Sequence, residues 1–214
     1  MMRVEDCVRA LCFPDPHAGP DGSYTIRSLY LDSPGRLYYL QTRNGEDKRL
    51  KYRIRIYNGS DSRIALERKE SLHGKKSKAV SVISREVCDS ILSGKEFDPA
   101  DDDLMIYAAD RAKNLLAPSA VIEYIRDAYV HPVGNVRITF DRRILASSSE
   151  DLFAESLAGT DVLRDGSGIL EVKYDDVLPG AIGRMLRPFD LQPVSFSKYV
   201  GSIDAINGNM GDPA

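Results

Sequence analysis

Residues 48–57 read KRLKYRIRIY, and the alternation within that run governs how the rest of the chain is read. Side chains of an extended strand point to opposite faces in turn. One face of this run therefore holds Arg49, Lys51, Arg53 and Arg55, and the other holds Leu50, Tyr52, Ile54 and Ile56. The apolar file is expected to bury against a core. The cationic file needs a different account. A solvated outer face is the commonest meaning of such alternation. Solvent faces, however, usually mix opposite charges with Ser, Thr and Gln, because like charges at i, i+2, i+4 and i+6 repel one another and gain no partner. Cations in file call for an anion.

Further strand-like runs fall at 24–32, 63–70, 76–83, 120–130, 136–141 and 169–175, each bounded by Gly, Pro, Asn, Asp or Ser. The same sorting sets Glu67 and Lys69 opposite Leu66, and sets Glu171, Lys173 and Asp175 opposite Leu170, Val172 and Tyr174. Arg137, Thr139 and Asp141 share a face, with Val136, Ile138 and Phe140 on the other. Asn58-Gly59 is a tight-turn signal between two runs. Helices are expected in three places. Ser84 caps one that carries Val87, Ile91 and Leu92 and ends at Gly94. Asp101, Asp102 and Asp103 open a second, with Leu104, Ala108, Ala112 and Leu115 at helical spacing, which stops before Pro118. A third follows Ser197, with Tyr199, Ile203 and Ile206 as its stripe. Residues 14–23, PDPHAGPDGS, read as a loop, and the Ser-, Gly- and acid-rich stretch 147–168 as a mobile one. There is no internal repeat. The expected class is α+β, an antiparallel β-barrel with an ionic interior and its apolar face packed under flanking helices.

The chain has 214 residues, 43% hydrophobic and 29% charged, which suits one globular domain. No apolar run approaches the roughly 18 residues of a membrane span, and the N-terminus lacks a secretory pattern, so a cytoplasmic address is expected. Cys7, Cys12 and Cys88 are unclustered, which argues for reduced thiols and against a disulfide framework or a zinc site. The net charge of −3 hides segregation: residues 48–78 hold eleven basic side chains against Asp61, Glu67 and Glu70. One surface is strongly positive.

If the sheet closes with its ionic face inward, the cations line a tunnel whose natural occupant is a chain of phosphates. Arginine offers a planar two-pronged donor to one phosphate, and lysine a compact charge. The acids on that face, Glu67 and Glu171, either hold structural salt bridges or bind Mg²⁺ or Mn²⁺ together with phosphate oxygens. A groove that tracks single-stranded nucleic acid is the competing reading, and it wants aromatics among its cations. The pleat puts Tyr52 and Tyr57 on opposite faces, so DNA is not the expected partner.

Seven blocks in order carry a resemblance: IRSLYLDS (26–33), KYRIRIY (51–57), LERK (66–69), EYIRDAYV (123–130), VRITFDR (136–142), ILEVKYDD (169–176) and SFSKY (195–199). Together they resemble the VTC domain, a family of polyphosphate polymerase domains in the triphosphate tunnel metalloenzyme group. The resemblance implies one domain over 1–214, with an N-terminal helix and loop (1–23), a tunnel core (24–201) and a helix end and tail (202–214). It implies that Arg53, Arg55, Lys69, Lys78, Arg126, Arg137 and Lys198 bind phosphates, joined by Lys51 on the same face. Of these, Arg53, Arg55, Lys69, Arg126, Arg137 and Lys198 would serve catalysis, and Glu171 would be the metal carboxylate. Ion pairing of Arg126 or Arg137 with Glu123 or Asp141, and simple exposure of Lys198, are the alternatives. The implied reaction moves the terminal phosphoryl group of ATP onto a growing polyphosphate chain, with Mn²⁺ or Mg²⁺. A tunnel that binds polyphosphate, tripolyphosphate or nucleotides without turnover is the second reading. His17, His73 and His131 lie in apparent loops and are assigned no role. Members of the family usually open on a strand with a Glu-x-Lys signature, whereas this chain opens on MMRVEDCVRALCFPDP, with Val4, Cys7, Val8 and Leu11 at helical spacing. The first strand is therefore expected to be missing, leaving an open edge through which two copies could pair.

Overall fold

The computed structural model describes residues 2–19, 21–163 and 166–208, so the expected tail beyond residue 208 lies outside the described residues. The first half runs α1 (Met2–Leu11), β1 (Phe13–Pro14), β2 (Ser23–Asp32), α2 (Leu37–Arg43), β3 (Arg49–Tyr57), β4 (Ser60–Leu72), β5 (Lys75–Ile83) and α3 (Arg85–Leu92). The second runs α4 (Asp102–Asn114), β6 (Ala117–His131), β7 (Val136–Ser147), β8 (Thr160–Asp161), β9 (Ile169–Lys173), α5 (Gly180–Leu186) and α6 (Lys198–Ile206). All the strands join one antiparallel sheet in the order β5-β4-β3-β2-β6-β7, with β8 and β9 both on β7 and β1 on β6.

Local chemistry explains the frame. Asn58 and Gly59 both take positive φ, 52° and 67°, which is the two-residue turn that matches the twist of β3 and β4. The expected caps are in place: Ser84 accepts from the Val87 amide, Asp101 from Leu104 and Ser197 from Val200. Tyr52, Ile54 and Ile56 are buried, as their parity on β3 requires. They pack with Leu29 and Ile64 against Cys88 and Ile91 of α3 and Leu104 and Tyr107 of α4. At the other end of the sheet, Ile138 and Phe140 pack with Val4 and Val8 of α1 and Ile182 of α5. The cysteines Cys7, Cys12 and Cys88 are free.

Four expectations change. Among the described residues no pairing joins β5 to β8 or β9, so the sheet is a curled, open one and not a hydrogen-bonded barrel. Its curl is nevertheless strong enough for Lys78 of β5 and Glu171 of β9 to line the same cavity. Helix α6 lies on the ionic side of the sheet, not under the apolar side. The reason is that β2 and β6 carry Tyr24, Ile26, Tyr30, Ile122 and Tyr124 on that concave side, and these bury Tyr199 and Ile203 of α6. Two helices, α2 and α5, were not expected. Finally, within the stretch expected to be mobile, residues 152–154 are held: Leu152 is fully buried and Arg27 donates to the carbonyls of Leu152 (3.1 Å) and Ala154 (2.5 Å). No helix among the described residues is long and apolar enough to cross a membrane.

Candidate functional site

The concave side of the sheet encloses a cavity of about 420 Å³. Every residue expected to bind phosphate or metal lines it: Lys51, Arg53 and Arg55 from β3, Lys69 from β4, Lys78 from β5, Arg126 from β6, Arg137 from β7, Glu171 from β9 and Lys198 from α6. Strand register is what gathers them. Directly paired residues point to the same face, and Lys51 pairs with Lys69, which pairs with Lys78, making one rung of lysines. Arg53 stands opposite Glu67, Arg137 opposite Lys173, and Thr139 opposite Glu171. Arg49 has the right parity but lies outside the cavity lining and donates to the Glu46 carbonyl (2.9 Å) and to Ser71 Oγ (3.2 Å).

Part of the positive charge is answered from within. Glu67 accepts from both Arg53 Nε (2.7 Å) and Arg53 Nη2, and from Lys78 Nζ (2.9 Å), with Arg55 Nη1 at 3.9 Å. Burial opposes ionisation of Glu67, but Arg53 and Arg55 outweigh it and bring its pKa down to about 2. This is the salt-bridge role considered for Glu67. Asp141, fully buried, takes Arg126 in a two-pronged pair (2.6 and 2.7 Å) and Lys198 Nζ at 2.7 Å. Arg126 therefore does make the ion pair foreseen for it. Lys198 is not an exposed first-turn lysine. Arg137 pairs with Asp15 (2.6 Å) and donates to Tyr24 Oη (3.1 Å), while Glu123 is taken by Arg27.

The remaining charge is not answered. Nine cationic side chains line the cavity, against Glu67 and Glu171 in its wall and Asp15 and Asp141 behind it. Among the described residues neither Lys51 nor Lys69 meets a carboxylate; Lys51 donates to Ser197 Oγ at 3.1 Å. Burial, then the neighbouring Arg53, pulls the Lys69 ammonium down to about 7, and burial also lowers Lys51. Like charges held this close cost stability, and the field they set up in the cavity attracts anions. Arg55 joins the group with hydrogen bonds to neutral partners, Ser28 Oγ (3.1 Å) and Tyr124 Oη (3.2 Å), and with Glu67 at the longer distance of 3.9 Å.

Sequence reading missed the phenols. Tyr30, Tyr124 and Tyr24 line the cavity and accept from Arg53, Arg55 and Arg137 respectively. Parity in run 24–32 groups Tyr24 and Tyr30 with Ser28, and it is the pairing with β3, Tyr30 opposite Arg53 and Ser28 opposite Arg55, that puts this group on the ionic face. Lys173, already sorted onto that face, is the further lysine in the wall. Glu171 is half-exposed, and Lys173 Nζ lies 3.3 Å from it. No group of three or more His, Cys, Asp or Glu side chains gathers among the described residues. Such a wall suits a cation that is shared with phosphate oxygens, since Mg²⁺ commonly takes one or two carboxylates plus substrate phosphates.

A family model described as the VTC domain matches residues 2–207. The chain belongs to the VTC domain family. No curated protein matches it. Among solved structures, a candidate adenylate cyclase from Bacillus halodurans superposes with a TM-score of 0.55 at 12% identity, covering 92% of this chain and 88% of that one. At that identity the likeness shows the fold. A protein from Pyrococcus horikoshii reaches a TM-score of 0.42 at 15% identity, over 89% of this chain and 81% of that one. As a VTC domain with this curled sheet around a cationic cavity, the chain stands among the triphosphate-binding tunnel proteins.

Proposed function

We propose that this VTC domain grips the triphosphate of ATP and a polyphosphate chain in the cavity and transfers the γ-phosphoryl group from one to the other. The observation that supports this most is the set of under-neutralised cations, Lys51, Lys69 and Arg55, arranged along adjacent strands with Lys78 and Arg53 beside them. A linear polyanion matches such an array better than a compact one. In the transfer, the bond from the γ-phosphorus to the bridging oxygen of ADP breaks while a terminal oxygen of the acceptor chain bonds to that phosphorus. Little covalent work falls to the protein, because positioning and neutralising charged oxygens supply most of the acceleration. Arg53, Arg55, Arg126 and Arg137 offer planar donors, and Lys51, Lys69, Lys78 and Lys198 offer point charges. Glu171 would hold Mn²⁺ or Mg²⁺ jointly with phosphate oxygens, and the bound cation would offset charge on the transferred group. A cytoplasmic site, where ATP is at hand, belongs to this reading, and the free edge of β5 is its place for pairing with a second copy.

A second reading, binding without turnover, is favoured by the unbridged gap between β5 and β9. The test is polyphosphate formation from ATP with Mn²⁺ or Mg²⁺, run beside tripolyphosphate binding. Transfer predicts formation by the wild-type chain. Glu171→Gln keeps shape and removes charge, so metal-dependent formation should fall at least tenfold while metal-free tripolyphosphate binding holds or strengthens, a roughly 1.4 kcal/mol effect on the barrier. Binding by a silent wild-type chain would establish the second reading. Unfolding of Glu171→Gln would assign Glu171 to structure.

A further inference from the structure

Helix α6 reaches the cavity by its first turn, which is the part of a helix most prone to fray. Lysine is also a long, flexible side chain, so its placement depends on what anchors the backbone beneath it. Two anchors hold this helix, and both come from the β2–α2 segment. Tyr199, next to Lys198, donates to Asp32 Oδ2 at 2.7 Å and lies 3.0 Å from Ser119 Oγ. Tyr39 of α2 donates to Asp204 Oδ1 at 2.6 Å, farther along the same helix.

Asp32 is a fixed post. It is buried and accepts from the amides of Ser33 (2.7 Å), Tyr38 (2.9 Å) and Tyr39 (2.9 Å) besides the Tyr199 phenol. Burial and the Asp32 charge raise the Tyr199 pKa, so the phenol stays protonated and can only donate to that carboxylate. The Tyr199 ring lies flat on the Tyr30 ring, centroids 4.6 Å apart and planes within 9°, and Tyr30 in turn accepts from Arg53 in the cavity wall. The turn itself is tightly packed: a Cβ on Gly201 would come within 2.9 Å of the Phe196 ring. From this anchored turn Ser197 Oγ meets Lys51 Nζ at 3.1 Å and Lys198 Nζ meets Asp141 at 2.7 Å.

We infer that Asp32 and Tyr199 are positioning residues of the cavity, a latch that fixes the first turn of α6 so that Lys198 and Ser197 are presented to a bound phosphate chain. The inference rests on the proposed phosphate binding for its ligand and on α6 alone for its mechanics. Prepaid placement of a cation is worth affinity that a free lysine would lose to ordering. Both act through the first turn of α6, chiefly through Lys198.

The experiment pairs amide exchange with calorimetry on the full chain. Tyr199→Phe keeps the ring and its stacking and removes one hydroxyl, so exchange at the Val200 and Gly201 amides should quicken while that of β3 does not. Lys198→Met should weaken tripolyphosphate binding roughly tenfold or more, the worth of one charge-assisted hydrogen bond. Tyr199→Phe alone should weaken it several-fold, and in the Lys198→Met background its further effect should shrink to less than about twofold, since groups that act together are not additive. Equal losses in both backgrounds would overturn the latch, because a merely structural tyrosine would act independently of Lys198. Unchanged exchange would overturn it as well. If Tyr199→Phe melts too low to assay, Tyr39→Phe removes only the second anchor and must show the same coupling. A wild-type chain that fails to bind tripolyphosphate defeats the proposed function and leaves the exchange result to decide the latch.

Discussion

Lys69 carries an ammonium into a cavity that already holds Arg53 and Arg55, and burial followed by Arg53 brings its pKa to about 7 from an ordinary 10.5. Below pH 7 both folded and unfolded chains hold that proton, and the fold bears the whole cost of the buried charge. Between about 7 and 10.5 only the unfolded chain holds it, so this group makes stability rise with pH across that window. A phosphate chain reverses the preference, because it favours the charged lysine. The Lys69 share of tripolyphosphate affinity is therefore expected to be level below pH 7 and to fall as pH rises above it, with Lys69 taking up a proton on binding at pH 8. Calorimetry in two buffers of different ionisation heat reads the net proton exchange, and an identical exchange in wild type and Lys69→Met at pH 8 would show that Lys69 stays out of the bound contacts. Lys69→Met should take up fewer protons than the wild type.

At the scale of elements, Asp101 shows how the scaffold is separable from the cavity. Its carboxylate accepts from the Leu104 amide (2.7 Å) and from Ser81 Oγ (3.1 Å), capping α4 and tying it to β5 on the apolar side of the sheet. Asp101→Ala should cost about 1 kcal/mol in urea unfolding, as lost N-caps do, and leave tripolyphosphate affinity unchanged. A large loss of affinity would mean that α4 sets the cavity shape. Caps of this kind were readable from sequence because they are local. So were the β3 faces and the Asn58-Gly59 turn, each fixed within a few residues. Helix α5 was not readable: Gly180 and Gly183 lower its intrinsic propensity, and the packing of Ile182 against Val8 and Phe140 holds it instead. Helix α2 is only seven residues long and its N-cap Arg36 makes no side-chain cap; Ser33 and Asp32, outside it, accept from its first amides, Ser33 from Leu37 and Asp32 from Tyr38 and Tyr39.

At the scale of the whole molecule, the candidate site was legible because one physical rule, alternation, acts on every strand and the antiparallel register then stacks like faces together. Arg53, Lys69 and Glu171 needed no knowledge of the third dimension to be placed on ionic faces. What alternation cannot say is which side of the sheet a helix covers, so α6 was assigned to the wrong side. It also cannot say which charges neutralise one another across strands. Glu67 meets Arg53 and Lys78, and Asp141 meets Arg126, because strand register sets them side by side on neighbouring strands, while Lys198 reaches Asp141 from α6. Those pairs make some cations parts of the wall, and they single out Lys51 and Lys69 as cations that can be removed without stranding a carboxylate. The most direct test is a calorimetric titration of tripolyphosphate into the wild-type chain and into Lys51→Met/Lys69→Met at pH 6.5, with melting followed in parallel. A phosphate-binding cavity predicts measurable binding by the wild type, a loss of roughly tenfold or more per lysine in the variant, and a melting temperature without ligand that holds or rises. Equal affinity in the two proteins, or no binding by the wild type, would contradict it.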